Sequence, residues 1–152
     1  MMIRLNFSIE INAPIAQVFD AMLGLSKKET YNNWCSVFNP TSTYEGEWKK
    51  DAKIYFVGTD KDGNKAGMIS EVLEFIPNEL VTIRHYGFLQ NGEEITSGPI
   101  VESWSGGLEM YSYKTNGEQT IVTVELDTTS DYIDYFNEMY PKALLRLKEY
   151  LQ

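Results

Sequence analysis

The chain has few of the residues that most often build disulfides and metal sites. Its 152 residues include one cysteine, Cys35, and one histidine, His85. A single cysteine cannot form an internal disulfide, so cysteine usage leaves the redox compartment open. One histidine and one cysteine cannot form the usual kind of zinc site without several carboxylates, so we expect neither a metal nor a cofactor. Cys35 has no histidine near it in sequence and is expected to be buried and inert.

Basic residues are also scarce, and the charge balance is strongly acidic. Lys and Arg number 13 against 22 Asp and Glu, which gives a formal net charge of -9. Contacts with phosphate groups need clustered Lys and Arg, so binding to nucleic acid or to an anionic membrane surface is disfavoured. No run of about 18 apolar residues occurs, so no membrane span is predicted. The N-terminus alternates instead of forming the apolar block of a signal peptide, and we expect a cytoplasmic protein.

Aromatic side chains are abundant by comparison. Ten Tyr, seven Phe and three Trp make up 13% of the chain. Such bulk either fills a core or lines a cavity. The length fits one domain of common size, and we expect residues 1–152 to form a single domain with a substantial core.

The one long helical pattern spans Ser130 to Leu151. Apolar residues recur there at three- and four-residue steps, which lays one stripe along a helix: Ile133, Phe136, Tyr140, Leu144, Leu147 and Leu151. Ser130 or Asp131 is expected to cap the helix start. Pro141 is expected to kink it, because proline cannot donate to the carbonyl four residues earlier. A helix with one apolar face needs a sheet to cover that face.

Nearly everything before this helix is predicted to be strand. Apolar and polar residues alternate, or turn signals separate apolar runs, over residues 5–11, 41–48, 53–58, 65–76, 80–88, 100–114 and 119–127. Two short helices are predicted after the first strand, at residues 14–23 and from Ser26 to about Asn33, where Ser26 and Glu29 have capping-box spacing. Gly106 and Gly107 are expected to form a bulge or bend within a strand. Because short turns join antiparallel strands, the predicted class is α+β, with a curved antiparallel sheet of about seven strands around the C-terminal helix.

One segment has the spacing of a calcium-binding loop. Asp60, Asp62, Asn64 and Glu71 match its first, third, fifth and twelfth positions. Lys65, however, stands where that loop needs glycine, and strands flank the segment instead of helices. A β-hairpin turn is the better prediction.

The order of elements resembles the helix-grip fold of the START, polyketide-cyclase and pollen-allergen superfamily, often called SRPBCC. Residues 11–22, INAPIAQVFDAM, resemble the family's exit from the first strand, and Trp34 stands where the family usually has a tryptophan. Residues 67–87 resemble its central hairpin. Residues 134–151 resemble the bacterial subgroup named after the activator of the heat-shock-protein-90 ATPase. The resemblance implies the helix-grip fold, with two short helices at one end, but it carries over no catalytic residue, because the superfamily has many functions.

That fold usually leaves a cavity between the sheet and the long helix. The candidate ligand-binding residues are mostly aromatic and are predicted to face it: Trp34, Phe38, Phe56, Met68, His85, Trp104, Tyr111, Phe136 and Tyr140. Hydroxyl groups of Tyr and N–H groups of Trp would supply polar contacts there. The strand register leaves two points open. The glycine pair can turn Trp104 and Tyr111 outward, and either Met68 or Ile69 can face the cavity.

Candidates for acid–base chemistry are few. His85 shares a strand face with Val81 and Ile83 and is predicted to point inward. It is then a polar contact for a ligand, a general base, or a hydrogen-bonded residue with no role. Strand glutamates usually face water or pair with Lys or Arg, and we expect this of Glu71, Glu74, Glu102 and Glu109.

These observations predict a protein that binds an apolar or amphipathic small molecule between the sheet and the C-terminal helix. Two other functions stay open. The subgroup resemblance implies a chaperone-binding module, and an inward acid–base pair at His85 would imply an enzyme of the cyclase or dehydrase kind. Of the three, the enzyme is the least expected. Edge strands and exposed aromatic residues are compatible with a homodimer.

Overall fold

The computed structural model describes residues 2–152 and places eight strands of this range in one antiparallel sheet. The strands are β1 (Met2–Ile11), β2 (Thr43–Gly46), β3 (Lys53–Thr59), β4 (Lys65–Ile76), β5 (Leu80–Gln90), β6 (Glu93–Ile95), β7 (Gly107–Asn116) and β8 (Gln119–Thr129). Their order across the sheet is β1-β8-β7-β5-β4-β3-β2, and β6 pairs with the last residues of β5.

Four helices complete the architecture. They are α1 (Ile15–Leu23), α2 (Lys28–Cys35), the single turn α3 (Pro99–Glu102) and the long α4 (Ile133–Leu151), which a short 3-10 turn at residues 130–132 precedes. The sheet curves around α4, which packs against β1, α1 and α2. The predicted helix-grip fold of class α+β is therefore confirmed. No helix within residues 2–152 is both long enough and apolar enough to cross a membrane.

The core lies between the inner face of the sheet and the helices. Along β1, Phe7 and Ile9 turn inward between exposed Asn6, Ser8 and Glu10, as the alternation predicts. The ring of Phe7 stacks on Tyr140 of α4 with centroids 5.1 Å apart. Further along the helix, Leu144 and Leu147 are fully buried. Burial of this apolar stripe fixes α4 against the sheet.

A bulge between β4 and β5 decides which side chains of β5 face α4. Ile69 pairs with Gly87, but Ser70 pairs with His85, so β5 has one extra residue at this point. The extra residue changes the alternation, so both His85 and Phe88 lie on the inner face although they are three residues apart. The sequence left open whether Met68 or Ile69 faces the cavity. In the structure Met68 faces it, and Ile69 belongs to a separate apolar cluster with Val57 and Leu89.

The sequence pattern predicted a strand over residues 100–114, but the structure has a helical turn followed by a shorter strand there. Pro99 starts the helical turn α3, where its missing N–H is not needed, and the strand begins only at Gly107. Gly106 has a φ of 88° and its N–H donates to the carbonyl of His85, so it closes a turn before β7 instead of forming a bulge within a strand. Glu102 consequently lies on α3 and is exposed.

Two predicted helix caps are also wrong. Helix α2 starts at Lys28 without a side-chain cap, and the hydroxyl of Ser26 donates to Asp20 of α1 instead. The chain has just left α1 through Gly24, which adopts the left-handed conformation, so Ser26 lies too early to cap the next helix. At the C-terminal helix, Tyr132 precedes the first residue of α4 and makes no side-chain cap, because residues 130–132 form the 3-10 turn.

Candidate ligand-binding site

An internal cavity of about 630 Å³ opens between the inner face of the sheet, the C-terminal half of α2 and the first half of α4. All nine residues proposed from the sequence lie in its lining: Trp34, Phe38, Phe56, Met68, His85, Trp104, Tyr111, Phe136 and Tyr140. They come from α2 and the connector after it, from β3, β4, β5 and β7, from the turn before β7, and from α4. The fold thus brings them together, and their binding of a ligand stays a prediction.

The cavity has a closed end and an open end. Trp34, Tyr111 and Tyr140 are at most 3% exposed and form the closed end. At the mouth, Ile100 is 69% exposed and Tyr132 is 56% exposed, although both also line the cavity. Exposed apolar side chains that continue into an apolar cavity are typical of an entrance for ligands.

Five polar residues joined by hydrogen bonds lie at the inner wall, and all of them except Ser70 line the cavity. We call Ser70, His85, Glu109, Tyr111 and Tyr140 the polar cluster. His85 Nε2 donates to Glu109 Oε1 at 2.9 Å, and Ser70 Oγ lies 2.6 Å from His85 Nδ1. The hydroxyl of Tyr111 donates to Glu109 Oε2 at 3.2 Å, and the hydroxyl of Tyr140 donates to the same oxygen. Glu109 is therefore the centre of the cluster.

Hydrogen bonding decides the charge state of Glu109. Burial alone raises the pKa of this carboxyl, but the hydrogen bond and the Coulombic attraction of His85, together with hydrogen bonds from Tyr140 and Tyr111, outweigh burial and hold the pKa below its usual range. Burial and the neighbouring carboxylate together raise the pKa of both tyrosines well above its ordinary value. Glu109 is consequently an anion at neutral pH, and both tyrosines stay protonated as donors.

The hydrogen-bond pattern also assigns the tautomer of His85. Ser70 is fully buried, and within residues 2–152 its Oγ has no hydrogen-bond partner other than His85 Nδ1. Its proton must therefore point at Nδ1, which accepts, while Nε2 carries the ring proton and donates to Glu109. In this arrangement His85 accepts from Ser70 and donates to Glu109, and no Lys or Arg belongs to the polar cluster.

The connectivity Ser70–His85–Glu109 has the order of a serine–histidine–acid triad, but its geometry does not suit nucleophilic catalysis. Ser70 is fully buried and lies outside the cavity lining. A substrate in the cavity cannot reach its hydroxyl, whereas a catalytic nucleophile must contact the substrate. Ser70 orients the ring of His85, and the cluster presents a fixed anion to the cavity.

The structure corrects two expectations about polar groups. Glu109 faces inward and contacts His85, whereas it was expected to face water or pair with Lys or Arg. Glu71 does pair with Arg84, at 2.6 Å. The expected polar contacts from Trp34, Tyr111 and Tyr140 are also occupied inside the protein, because the Trp34 N–H donates to the carbonyl of Met22 at 2.8 Å and both tyrosines bond to Glu109.

Several lining residues were not among the sequence candidates. They include Tyr31, Cys35, Phe88, Ile100, Glu109, Asp127, Tyr132 and Tyr135. Strand alternation alone could have identified Glu109, which stands two residues before Tyr111 on the same strand face. No sequence signal pointed to Phe88, because its orientation depends on the bulge in β5.

The remaining candidates for chemistry are structural. Cys35 is buried, and burial raises the pKa of its thiol well above the ordinary value, so the reactive thiolate is disfavoured. The segment with calcium-loop spacing is a hairpin turn, in which Asp60 Oδ1 accepts from the backbone N–H groups of Asp62 and Asn64. Among residues 2–152, no group of three or more His, Cys, Asp or Glu side chains is placed to hold a metal ion.

Solved structures of low sequence identity share this fold. The solution structure of the Aha1 dimer from Colwellia psychrerythraea has a TM-score of 0.70 at 23% identity, covering 98% of this chain and 96% of that chain. An X-ray structure of a Nitrosomonas europaea protein has a TM-score of 0.71 at 18% identity, covering 97% and 93%. CalU16 from Micromonospora echinospora has a TM-score of 0.64 at 14% identity, covering 98% and 76%. No protein-family model matches the sequence, and no curated protein matches it.

At such identities these similarities establish the fold alone. They extend over nearly the whole chain, including the elements that surround the cavity. The resemblance drawn from the sequence is therefore confirmed at the level of architecture: the chain has the helix-grip fold of SRPBCC-type proteins and is similar to the Aha1 structure from Colwellia psychrerythraea.

Proposed function

We propose that the protein binds an apolar or amphipathic small molecule in the cavity between the sheet and α4. The observation that carries this proposal is the cavity itself, about 630 Å³ in volume and lined mainly by aromatic side chains. Pockets that hold small molecules have volumes of roughly 300–1,000 Å³ and combine apolar walls with a few fixed polar groups. The polar cluster supplies such groups at one wall.

The cavity is also too large to be a void left by imperfect packing of the core. Protein interiors are packed as densely as organic crystals and leave few voids larger than a water molecule. Here large side chains surround the space without filling it, among them Phe38, Phe56 and Phe136. Hydrogen bonds hold Trp34 and Tyr140 in place at the closed end, so these side chains cannot simply move inward.

Titration with a neutral, environment-sensitive naphthylamine dye tests the proposal. We expect saturable fluorescence enhancement for the wild-type protein and its loss in Ala66→Trp, because Ala66 lines the cavity and an indole there fills part of it. Ala16→Trp, on the exposed surface of α1, is the matched control and should bind like wild type. Equal binding by both variants would place the dye elsewhere and contradict the proposal.

A second candidate function, chaperone binding, rests on the sequence resemblance of residues 134–151 to the subgroup of heat-shock-protein-90 activators. The similarity to the Aha1 dimer supports homodimer formation in addition. Light scattering during size-exclusion chromatography is expected to give twice the mass of the chain. Calorimetric titration with the purified chaperone then tests the second function, and a flat titration would leave ligand binding as the sole proposal.

A further inference from the structure

The cavity wall carries one carboxylate that no Lys or Arg side chain compensates. Within the described residues, no Lys or Arg lines the cavity, and its acidic members are Glu109 and Asp127. Asp127 is neutralised by Arg4, which contacts its two carboxylate oxygens at 2.8 and 3.1 Å from outside the lining. Among residues 2–152, Glu109 receives side-chain hydrogen bonds from His85, Tyr111 and Tyr140 and from no Lys or Arg. Its charge therefore faces the cavity.

The position of Glu109 makes this charge effective. Its side chain is only 15% exposed, and it contributes to the cavity lining. Charges in such a partly dehydrated environment interact more strongly than charges in water, because less solvent screens them. An ionised carboxylate has about four acceptor positions, and three donors occupy those of Glu109, which leaves one for a ligand.

Aromatic rings lie beside the same wall. Eleven lining residues are Phe, Tyr or Trp. The ring centroid of Phe56 lies 6.0 Å from that of His85, and the ring of Trp34 lies 6.1 Å from Tyr111. The face of an aromatic ring attracts cations through its quadrupole. The carboxylate and the rings therefore favour the same sign of ligand charge.

We infer, building on the proposed function, that the cavity selects a small molecule with an apolar body and one cationic nitrogen. The cationic nitrogen lies against Glu109 and the neighbouring aromatic faces, and the apolar body extends towards the mouth at Ile100 and Tyr132. A carboxylate or phosphate ester with the same apolar body is rejected, because it meets Glu109 with no Lys or Arg in the lining to offset the repulsion.

Three probes that share the naphthyl ring and carry a cationic, a neutral or an anionic group test this inference: naphthylmethylamine, naphthylmethanol and naphthoate. Calorimetry at constant ionic strength and neutral pH is expected to give the tightest binding for the amine, weaker binding for the alcohol and the weakest for naphthoate. The expected amine-to-carboxylate preference is about tenfold or more, as a single desolvated charge contact gives. If the three probes bind with equal affinity, or if the alcohol or naphthoate binds most tightly, the inference about ligand charge is wrong. The proposal that the cavity binds a small molecule is then still supported. Absence of binding by all three contradicts the proposed function for ligands of this size, and the charge preference with it.

The variant Glu109→Gln tests whether the charge of Glu109 causes the preference for the amine. This variant removes the charge while keeping the shape and one acceptor, so amine affinity should fall about tenfold and alcohol affinity should change little. Glu74→Gln, on an exposed position of β4, removes the same charge far from the lining and is the matched control. An amine preference that survives Glu109→Gln, or disappears in Glu74→Gln, assigns the effect to overall charge and overturns the role of Glu109. If Glu109→Gln does not fold, the wild-type probe series still decides the charge preference.

Discussion

Glu109 combines burial with a full negative charge, which is an expensive state for a carboxylate. Three hydrogen bonds stabilise the anion, and two of the donors are tyrosines whose own pKa is raised so far that they stay protonated. One of those donors, Tyr140, belongs to α4, whereas Glu109 belongs to β7. The anion thus joins the helix to the sheet at the closed end of the cavity.

The lowered pKa of Glu109 makes stability depend on pH in a defined direction. An unfolded glutamate has a pKa of about 4.3, and the folded value lies below it. Between these values the unfolded chain binds more protons than the folded one, so stability rises with pH there. The contribution of Glu109 is present above the unfolded pKa and is lost as the pH falls through the folded pKa.

Urea denaturation at stepped pH, comparing wild type with Glu109→Gln, measures this contribution. The free energy of unfolding of wild type should exceed that of the variant near neutral pH, by about 1–3 kcal/mol. Below about pH 5 the wild-type value should fall more steeply, so that the two curves converge. Asp127 and other acids titrate equally in both proteins and cancel in the difference. Parallel curves over this range would show that the folded pKa of Glu109 is not lowered.

The hydroxyl of Tyr140 can be tested separately from its ring. Tyr140→Phe keeps the stacking on Phe7 but removes a donor to a buried anion, so we expect a loss of about 1.5–3 kcal/mol. Tyr113→Phe is the control, because Tyr113 is as deeply buried but, within residues 2–152, its hydroxyl donates only to the sulfur of Met22, a weak acceptor. Its loss should stay below about 0.5 kcal/mol. If both variants lose the same free energy of unfolding, the hydrogen bond from Tyr140 to Glu109 contributes no more than the weak contact of Tyr113.

Sequence reasoning located the aromatic wall but misjudged its charged centre. Tyr111 was placed on the inner face, and alternation along β7 puts Glu109 on that same face. The general rule that strand glutamates face water led to the opposite expectation. The rule fails here because His85, Tyr111 and Tyr140 come from three elements distant in sequence, and their convergence on one carboxylate appears only in the folded chain.

At the scale of elements, the junction of α1 and α2 supports one side of the cavity. Gly24 ends α1 in the left-handed conformation, with a φ of 68°, and its carbonyl accepts a hydrogen bond from the hydroxyl of Tyr44 in β2. Trp34 of α2 donates to the carbonyl of Met22 in the last turn of α1. These bonds satisfy carbonyl groups that a helix end leaves free, and they fix where the ring of Trp34 stands.

Replacement of Gly24 distinguishes backbone strain from crowding. A Cβ at this position would lie 2.9 Å from Cβ of Tyr31 and 3.1 Å from Cα of Lys28, so Gly24→Ala adds a clash to the left-handed strain. We expect a loss of about 2 kcal/mol or more. Gly117→Ala has a similar φ of 65° with open space around it and should lose about 1 kcal/mol. Thermal or urea unfolding measures both losses. Equal losses would show that Tyr31 and Lys28 move away from the new Cβ at no cost in free energy.

Element prediction succeeded where the residue pattern was long and failed where a single residue changed it. The 12-residue strand β4 was predicted at its observed bounds, because alternation and Pro77 define it. The extra residue in β5 and the helical turn α3 were not predicted. The first depends on pairing with a distant strand, and the second on Pro99 starting a turn within an otherwise strand-like run. Boundaries of this kind are decided by tertiary contacts that local patterns do not contain.

At the scale of the whole molecule, the net charge of -9 adds to the effect of Glu109. A long-range negative field attracts a cationic ligand before contact and raises its rate of association. The field around exposed charges is screened beyond about 10 Å at 0.1 M ionic strength, whereas the contact between the ligand and a buried carboxylate is screened much less. Salt therefore separates the two contributions, because it weakens the field and leaves the local contact nearly intact.

Stopped-flow measurements with the amine and alcohol probes should show this separation. On raising the ionic strength from about 0.02 M to about 0.5 M, the association rate of naphthylmethylamine should fall several-fold, while that of naphthylmethanol stays constant. The dissociation rate of the amine should change little, because it reflects the buried contact with Glu109. In Glu109→Gln the salt dependence of association should persist, since one charge of many is lost, but dissociation should accelerate about tenfold. Should salt instead act on amine dissociation as strongly as on association, the ammonium group would lie at the screened surface and not against Glu109.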